Sequence, residues 1–257
     1  MTFVSLMISA FLAKGQSVAL YYGPGLFYGF DIWYLILVIP AVLISLIAQV
    51  RVKSAFSKYS QVRARSGYTG QSAARRILSH YGLSHIRVER TPGQLTDHFD
   101  PRSQVLRLSD ATSDSASIAA IGVAAHEAGH AVQHSEGYLP NKIRTALVPI
   151  AQIGSSFGPY LAIFGILLSL PTLTNIGIIL FFGAVLFYLV TLPVEFNASR
   201  RALLVLEEQN LLTDEELDGA RKVLKAAAMT YVASALVAFA NLLRLIFLSR
   251  GRDDRRF

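Results

Sequence analysis

His126, Glu127 and His130 have the types and spacing for metal-assisted hydrolysis. They form His-Glu-x-x-His inside Val123-Ala-Ala-His-Glu-Ala-Gly-His-Ala-Val132. In a helix, residues four apart share a face and lie about 6 Å apart along the axis. Both imidazoles can then reach one ion. Glu127 projects beside them, placed to hold and deprotonate a metal-bound water. Zinc suits two imidazoles with an open position, where the pKa of bound water falls to about 7. The motif is short, and a polar surface helix can produce the same string by chance. The flanks separate the two readings. Ala124, Ala125, Ala128, Gly129 and Ala131 are small, so this helix can lie against neighbouring backbone and keep the site dry.

A zinc hydrolase needs a third protein ligand. His134 lies about 12 Å from His126 along a straight helix, too far to share an ion bound at about 2 Å. It reads as a helix-face residue or as a group behind the ligands. Glu136 stands six after His130, where metzincins place their third ligand, but that pattern needs a glycine three after the second histidine. Gln133 occupies that position. Glu195 is the stronger candidate. It ends an uncharged run from Thr145 to Val194, and an ionisable group at such a boundary is a functional-site hypothesis by default. The competing reading is a rim glutamate paired with Arg200 or Arg201.

These residues need a scaffold, and the composition places it in a membrane. Of 257 residues 53 % are hydrophobic, and the mean hydropathy is +0.43, both high for a soluble domain. The net charge of +7 reads as positive-inside bias rather than nucleic-acid binding. There is no cysteine, which excludes disulfides and cysteine zinc sites.

Residues 1–30 form an apolar N-terminal extension without a basic start or a clear cleavage site. It reads as an interfacial segment or an extension from an early start codon, not as a secretory signal. Residues 31–50 hold a first transmembrane helix, uncharged from Ile32 to Val50 with Trp33 and Tyr34 at one end. Arg51, Lys53, Lys58, Arg63 and Arg65 follow, with no acid between Asp31 and Glu89. That places residue 51 onward in the cytoplasm and the N-terminus outside. Residues 145–194 read as a two-helix transmembrane hairpin, with helices at 147–169 and 176–194 and a turn at Pro171–Asn175.

Residues 51–144 are the expected cytoplasmic catalytic part. Gln71–Tyr81 reads as an amphipathic helix with Thr69 as cap and Gly82 as stop. Residues 85–90 and 103–108 alternate and read as a small hairpin or edge sheet. Between them, Asp97, His98 and Asp100 are either site residues or turn caps, and capping is preferred. The motif helix starts at Ser113–Ser117, runs to about His134 and stops near Gly137. Residues 195–225 carry the third ligand and charged helices, with a capping box at Thr213–Glu216. Residues 226–257 are an alanine-rich, membrane-associated helix and a basic tail. A full span there would put Arg250, Arg252, Arg255 and Arg256 outside. The helix is therefore expected to pack on the catalytic part or dip into the interface.

Several stretches resemble the putative neutral zinc metallopeptidase family of bacterial membrane proteins. They are Leu95-Thr-Asp-His-Phe-Asp-Pro-Arg102, Val105-Leu-Arg-Leu-Ser109, Ala120–Ala131 around the motif, Leu192-Pro-Val-Glu-Phe-Asn-Ala-Ser-Arg-Arg201 and Ala226–Ala233. The resemblance runs from about Phe30 to about Leu248. It implies a mainly α integral membrane protein: three to four transmembrane helices plus a cytoplasmic, gluzincin-like α+β catalytic domain with a small β hairpin. It implies one Zn2+ held by His126, His130 and Glu195, with Glu127 as catalytic base, in the bacterial inner membrane with the site facing the cytoplasm. More distantly the chain is similar to prenyl-protein and heat-shock membrane zinc proteases, in which a Glu-x-x-x-Asp helix supports the first histidine. Ser199 stands at that aspartate's position, leaving Ser199 or Asn197 to orient His126.

The expected activity is zinc-dependent endopeptidase cleavage of a protein or peptide substrate at the bilayer. His98, Tyr138, Tyr231 and Arg200 are candidates to stabilise the oxyanion. The 103–108 strand could bind substrate as an added strand. No nucleic-acid partner is expected, and a homo-oligomer or a membrane adaptor stays open. The alternatives are a membrane scaffold with a structural zinc, which needs four protein ligands, and an intramembrane site-2-type protease, which needs the motif within a span. A channel or transporter has too little polar lining in the uncharged spans.

Overall fold

The computed structural model describes residues 31–253, with side chains to residue 250. The expected N-terminal extension, Arg255 and Arg256 lie outside the described residues. The helices are α1 (Tyr34–Ser60), α2 (Gly70–His80), α3 (Ile118–Ser135), α4 (Leu139–Leu167), α5 (Pro171–Glu208) and α6 (Asp214–Asp253). The strands are β1 (Arg87–Thr91), β2 (His98–Asp100) and β3 (Val105–Ser109). The chain divides into two units. One comprises residues 50–138 and 194–228, the other, within the described range, residues 31–49, 139–193 and 229–253.

In the first unit α3 is the central element. Its small residues are buried together with Ile118, Ile121 and Val132. Ser117 caps it by accepting from the Ala120 N–H at 3.2 Å. Gly137, at φ +65°, allows the left-handed exit that stops it. α2 starts with a reciprocal box: Thr69 Oγ1 accepts from Ser72 N–H and Ser72 Oγ from Thr69 N–H. It packs Ala73, Ala74, Ile77 and Leu78 into the same core as α3, Leu106 and Leu108. Each fully buried leucine or isoleucine there contributes about 1.5–3 kcal/mol. The buried Glu216 carboxylate accepts from Thr213 N–H at 2.9 Å and Arg65 N–H at 2.8 Å. It thereby caps α6 and ties down the loop after α1.

The expected hairpin between 85–90 and 103–108 does not form. β1 and β3 are parallel, pairing Arg87 with Val105, and the sheet order is β1-β3-β2. The hairpin is β2–β3, with His98 opposite Arg107. Capping residues cause the change. Asp97 accepts from the Ser109 N–H and hydroxyl at 2.8 and 2.9 Å, holding the start of β2 beside the end of β3. Asp100 accepts from Arg102 N–H and the Ser103 hydroxyl at 3.0 and 2.7 Å, closing the turn. β3 is thus central and paired on both sides, so the added-strand site expected on 103–108 is excluded. The sheet's edges are β1 and β2.

In the second unit α4 and α5 form the expected helical pair, but the turn is 168–170. Pro171 begins α5, where its missing N–H costs nothing. Glycines let the two backbones approach, with Gly154 against the Leu180 carbonyl, Gly177 against Ala162 and Gly165 against Thr174. Residues 226–248 were expected to pack on the catalytic part or dip into the interface. The stretch is part of α6, which together with α1, α4 and α5 is long and apolar enough to cross a membrane. The end of α6 lies beside the start of α1. Arg244 Nε and Nη2 each stand 2.7 Å from Asp31 Oδ2, and Trp33 meets Phe247 at 4.5 Å. Asp31 thus pairs with Arg244, a charge near the apolar part of α6.

Candidate metal centre

The site lies within the first unit, where α3 meets the last turns of α5. A Cβ on Gly129 would stand 2.9 Å from the Ala198 carbonyl oxygen. Only glycine permits this approach, which brings Glu195 and Ser199, one turn apart, over the histidine face of α3. His126 Nε2 is 3.3 Å and His130 Nε2 3.6 Å from Glu195 Oε2. One ligand atom from each residue lies within 4.8 Å of the others. The Glu195 side chain is 3 % exposed, against 14 % and 12 % for the imidazoles. The carboxylate therefore closes the back of the group, and the histidines border its open side.

The other ring nitrogens are tied off. Ser199 Oγ lies 3.2 Å from His126 Nδ1. Gln133 donates its amide protons to the Val194 carbonyl at 2.8 Å and to Asn197 Oδ1 at 2.9 Å. Its Oε1 therefore meets His130 Nδ1 at 3.0 Å. An amide oxygen only accepts, so Nδ1 carries a proton, and in the neutral ring Nε2 presents a lone pair. That lone pair faces the Glu195 carboxylate, so a proton or a metal cation between them removes the repulsion. The donor set fits zinc. Bonds of about 2.05 Å at tetrahedral angles put ligands about 3.3 Å apart, close to the two distances to Glu195.

Glu127 stands beside the group and accepts from the Phe99 N–H of β2 at 3.1 Å. Burial among apolar neighbours, opposed by His126, pushes its carboxyl up to about 7. The β2 edge therefore borders the motif helix at Glu127.

His98 is buried in β2 with Nδ1 2.8 Å from the Thr96 carbonyl. Asp97 and Asp100 act as caps. Tyr138 is half-buried past the end of α3, Arg200 is exposed on α5, and Tyr231 belongs to the second unit. His134 is exposed and stacks on Phe99 at 5.8 Å. Glu136 pairs with Arg201 at 2.6 Å. Asn197 reaches the site through Gln133 rather than by touching His126. Spacing alone did not single out Gln133. Its signal was a large amide three after His130, on the ligand face of an otherwise small-residue helix.

The family described as putative neutral zinc metallopeptidase matches residues 34–250. The chain is 48 % identical over 223 residues to the putative membrane protease YugP of Bacillus subtilis (strain 168), covering 86 % of this chain and 99 % of that protein. No solved structure matches significantly. With the match spanning both units, the chain belongs to the putative neutral zinc metallopeptidase family.

Proposed function

We propose that this chain is a membrane-bound, zinc-dependent endopeptidase in which His126, His130 and Glu195 hold one zinc and Glu127 is the general base. The observation that carries the reading is the convergence of His126, His130 and Glu195, whose ligand atoms lie within 4.8 Å of one another. The zinc, when bound, supplies a Lewis acid that polarises the scissile carbonyl and acidifies water. The chain's own groups do the rest. Glu127, beside the metal group, takes a proton from the attacking water and returns it to the leaving amine. β2 is an edge strand of the sheet beside Glu127, and we place an extended peptide substrate along that side of the site.

The alternatives fit less well. A structural zinc needs a fourth protein ligand, and among the described residues the group holds three. An intramembrane protease needs the motif inside a span, and α3 is not among the helices apolar enough to cross. We place the four long helices in a bacterial inner membrane. The site then faces the cytoplasm, on the side of Arg51–Arg65, by the positive-inside bias. In domain terms, 51–144 and 195–225 make the catalytic part, 31–50 and 145–194 the membrane part, and 226–257 the last span and tail.

The test is zinc per purified chain, measured with peptide hydrolysis. Wild type is expected to hold about one zinc, as one three-ligand site requires. Glu195→Ala loses it, and Glu127→Gln keeps it but cleaves nothing. Zinc retained in Glu195→Ala, or turnover by pure Glu127→Gln, overturns the assignment.

A further inference from the structure

Gln133 is a polar side chain sealed in the core of the first unit, at 0 % exposure. A buried amide without partners costs several kcal/mol, and this one uses its oxygen and both of its protons. Its partners lie on two sides of the candidate metal group. Oε1 takes the Nδ1 proton of His130, on its own helix. The amide protons go to the carbonyl of Val194, immediately before Glu195, and to Oδ1 of Asn197, two residues after it. Asn197 Oδ1 also accepts from Arg201 Nε at 2.8 Å, and Arg201 pairs with Glu136 at the end of α3. One planar group thus grips α5 on both sides of Glu195 while fixing which nitrogen of His130 is free.

We propose that Gln133 is the positioning residue that couples His130 to Glu195. It sets the tautomer of one ligand and the placement of the other in a single hydrogen-bonded unit. The proposal rests on the zinc reading above. The chemistry selects glutamine. An aspartate or glutamate in ionised form has no proton for the Val194 carbonyl and would face two further acceptors. Methionine has the length but neither donor nor acceptor of comparable strength. Without the clamp, the His130 ring is free to exchange tautomers, and the α5 backbone before Glu195 loses its anchor. Partners that orient a metal-binding histidine are worth about 10–100-fold in metal affinity.

The experiment uses the full-length, detergent-solubilised chain with 15N-labelled histidine, freed of metal by chelation. At a pH high enough for the ring to be neutral, the wild-type His130 signals should show a protonated Nδ1 and an unprotonated Nε2. The opposite tautomer overturns the proposal, and this reading needs no variant to fold. Zinc affinity is then measured by competition with a chromophoric chelator. Gln133→Met should bind zinc about 10–100-fold more weakly, with a tautomer-averaged His130. Ser135→Ala, a helix-end control whose hydroxyl donates to the Val132 carbonyl at 2.9 Å, should change neither. Unchanged affinity and tautomer in Gln133→Met overturn the clamp. A wild type that binds no zinc at all instead sinks the metal-site reading, whatever the tautomer of His130.

Discussion

The Cα of Gly129 faces the Ala198 carbonyl so closely that a methyl group would stand 2.9 Å from that oxygen. This contact, between one residue of the motif helix and one of the Glu195 helix, sets the separation at which the metal group assembles. Gly129→Ala is an informative change because two effects oppose each other. In an exposed helix interior it would stabilise by about 1 kcal/mol. Here the added Cβ meets backbone, which cannot swing aside, and α5 must move. We expect the melting temperature to fall and zinc affinity to drop by at least about ten-fold, the scale of a displaced ligand support. A higher melting temperature with full zinc content would show that the helices have slack at this point.

Much of the local structure was legible in the sequence because its causes are local. Thr69 and Ser117 are capping side chains beside their own helices, and the His-Glu-x-x-His spacing places both imidazoles on one face. Glu195 was legible from the uncharged run before it. What was not legible depends on distant partners. The pairing of β2 with β3 is held by Asp97 reaching Ser109, twelve residues away. The partner of Arg244 on α6 is Asp31, more than two hundred residues earlier in the chain. Gln133 has no pattern of its own, since its meaning lies in Val194 and Asn197 on another helix.

Ser199 provides a second prediction. Its hydroxyl lies 3.2 Å from His126 Nδ1, at the position where more distant zinc proteases carry an aspartate. A hydroxyl accepts the imidazole proton less strongly than a carboxylate does. Ser199→Ala should weaken zinc binding about ten-fold or more. Ser199→Asp should bind zinc at least as tightly as the wild type. Chelator competition on the three proteins decides it, and equal affinities would remove Ser199 from the support of His126.

The turn between β2 and β3 gives a pH prediction. The Ser103 hydroxyl, with the Arg102 N–H, holds the Asp100 carboxyl down at about 2. An unfolded aspartate titrates at about 3.9. A carboxyl lowered on folding stabilises the fold fully above its unfolded value, and that contribution fades as the pH falls towards 2. Asp100→Asn should therefore melt below the wild type at pH 6, and the gap should narrow between about pH 4 and about pH 2. A gap independent of pH would mean that Asp100 acts through its shape and not through its charge.

The Asp31–Arg244 pair bears on the topology of the whole chain. Arg244 is 7 % and Asp31 18 % exposed, and the Arg244 guanidinium also lies over the Tyr34 ring. Removing one partner leaves the other charge buried, at a cost of about 3–5 kcal/mol, whereas replacing both with apolar residues can be nearly neutral. Arg244→Leu should therefore be far less stable in detergent than the double variant Asp31→Leu/Arg244→Leu. The same pair puts the end of α6 beside the start of α1, so α6 must return to the side of the membrane from which α1 departs. The chain has no cysteine, which makes labelling clean. A membrane-impermeant maleimide should reach Ser249→Cys from the side opposite to Ser66→Cys. If both were labelled from the same side, α6 would not span, and the pair would have to form within one leaflet.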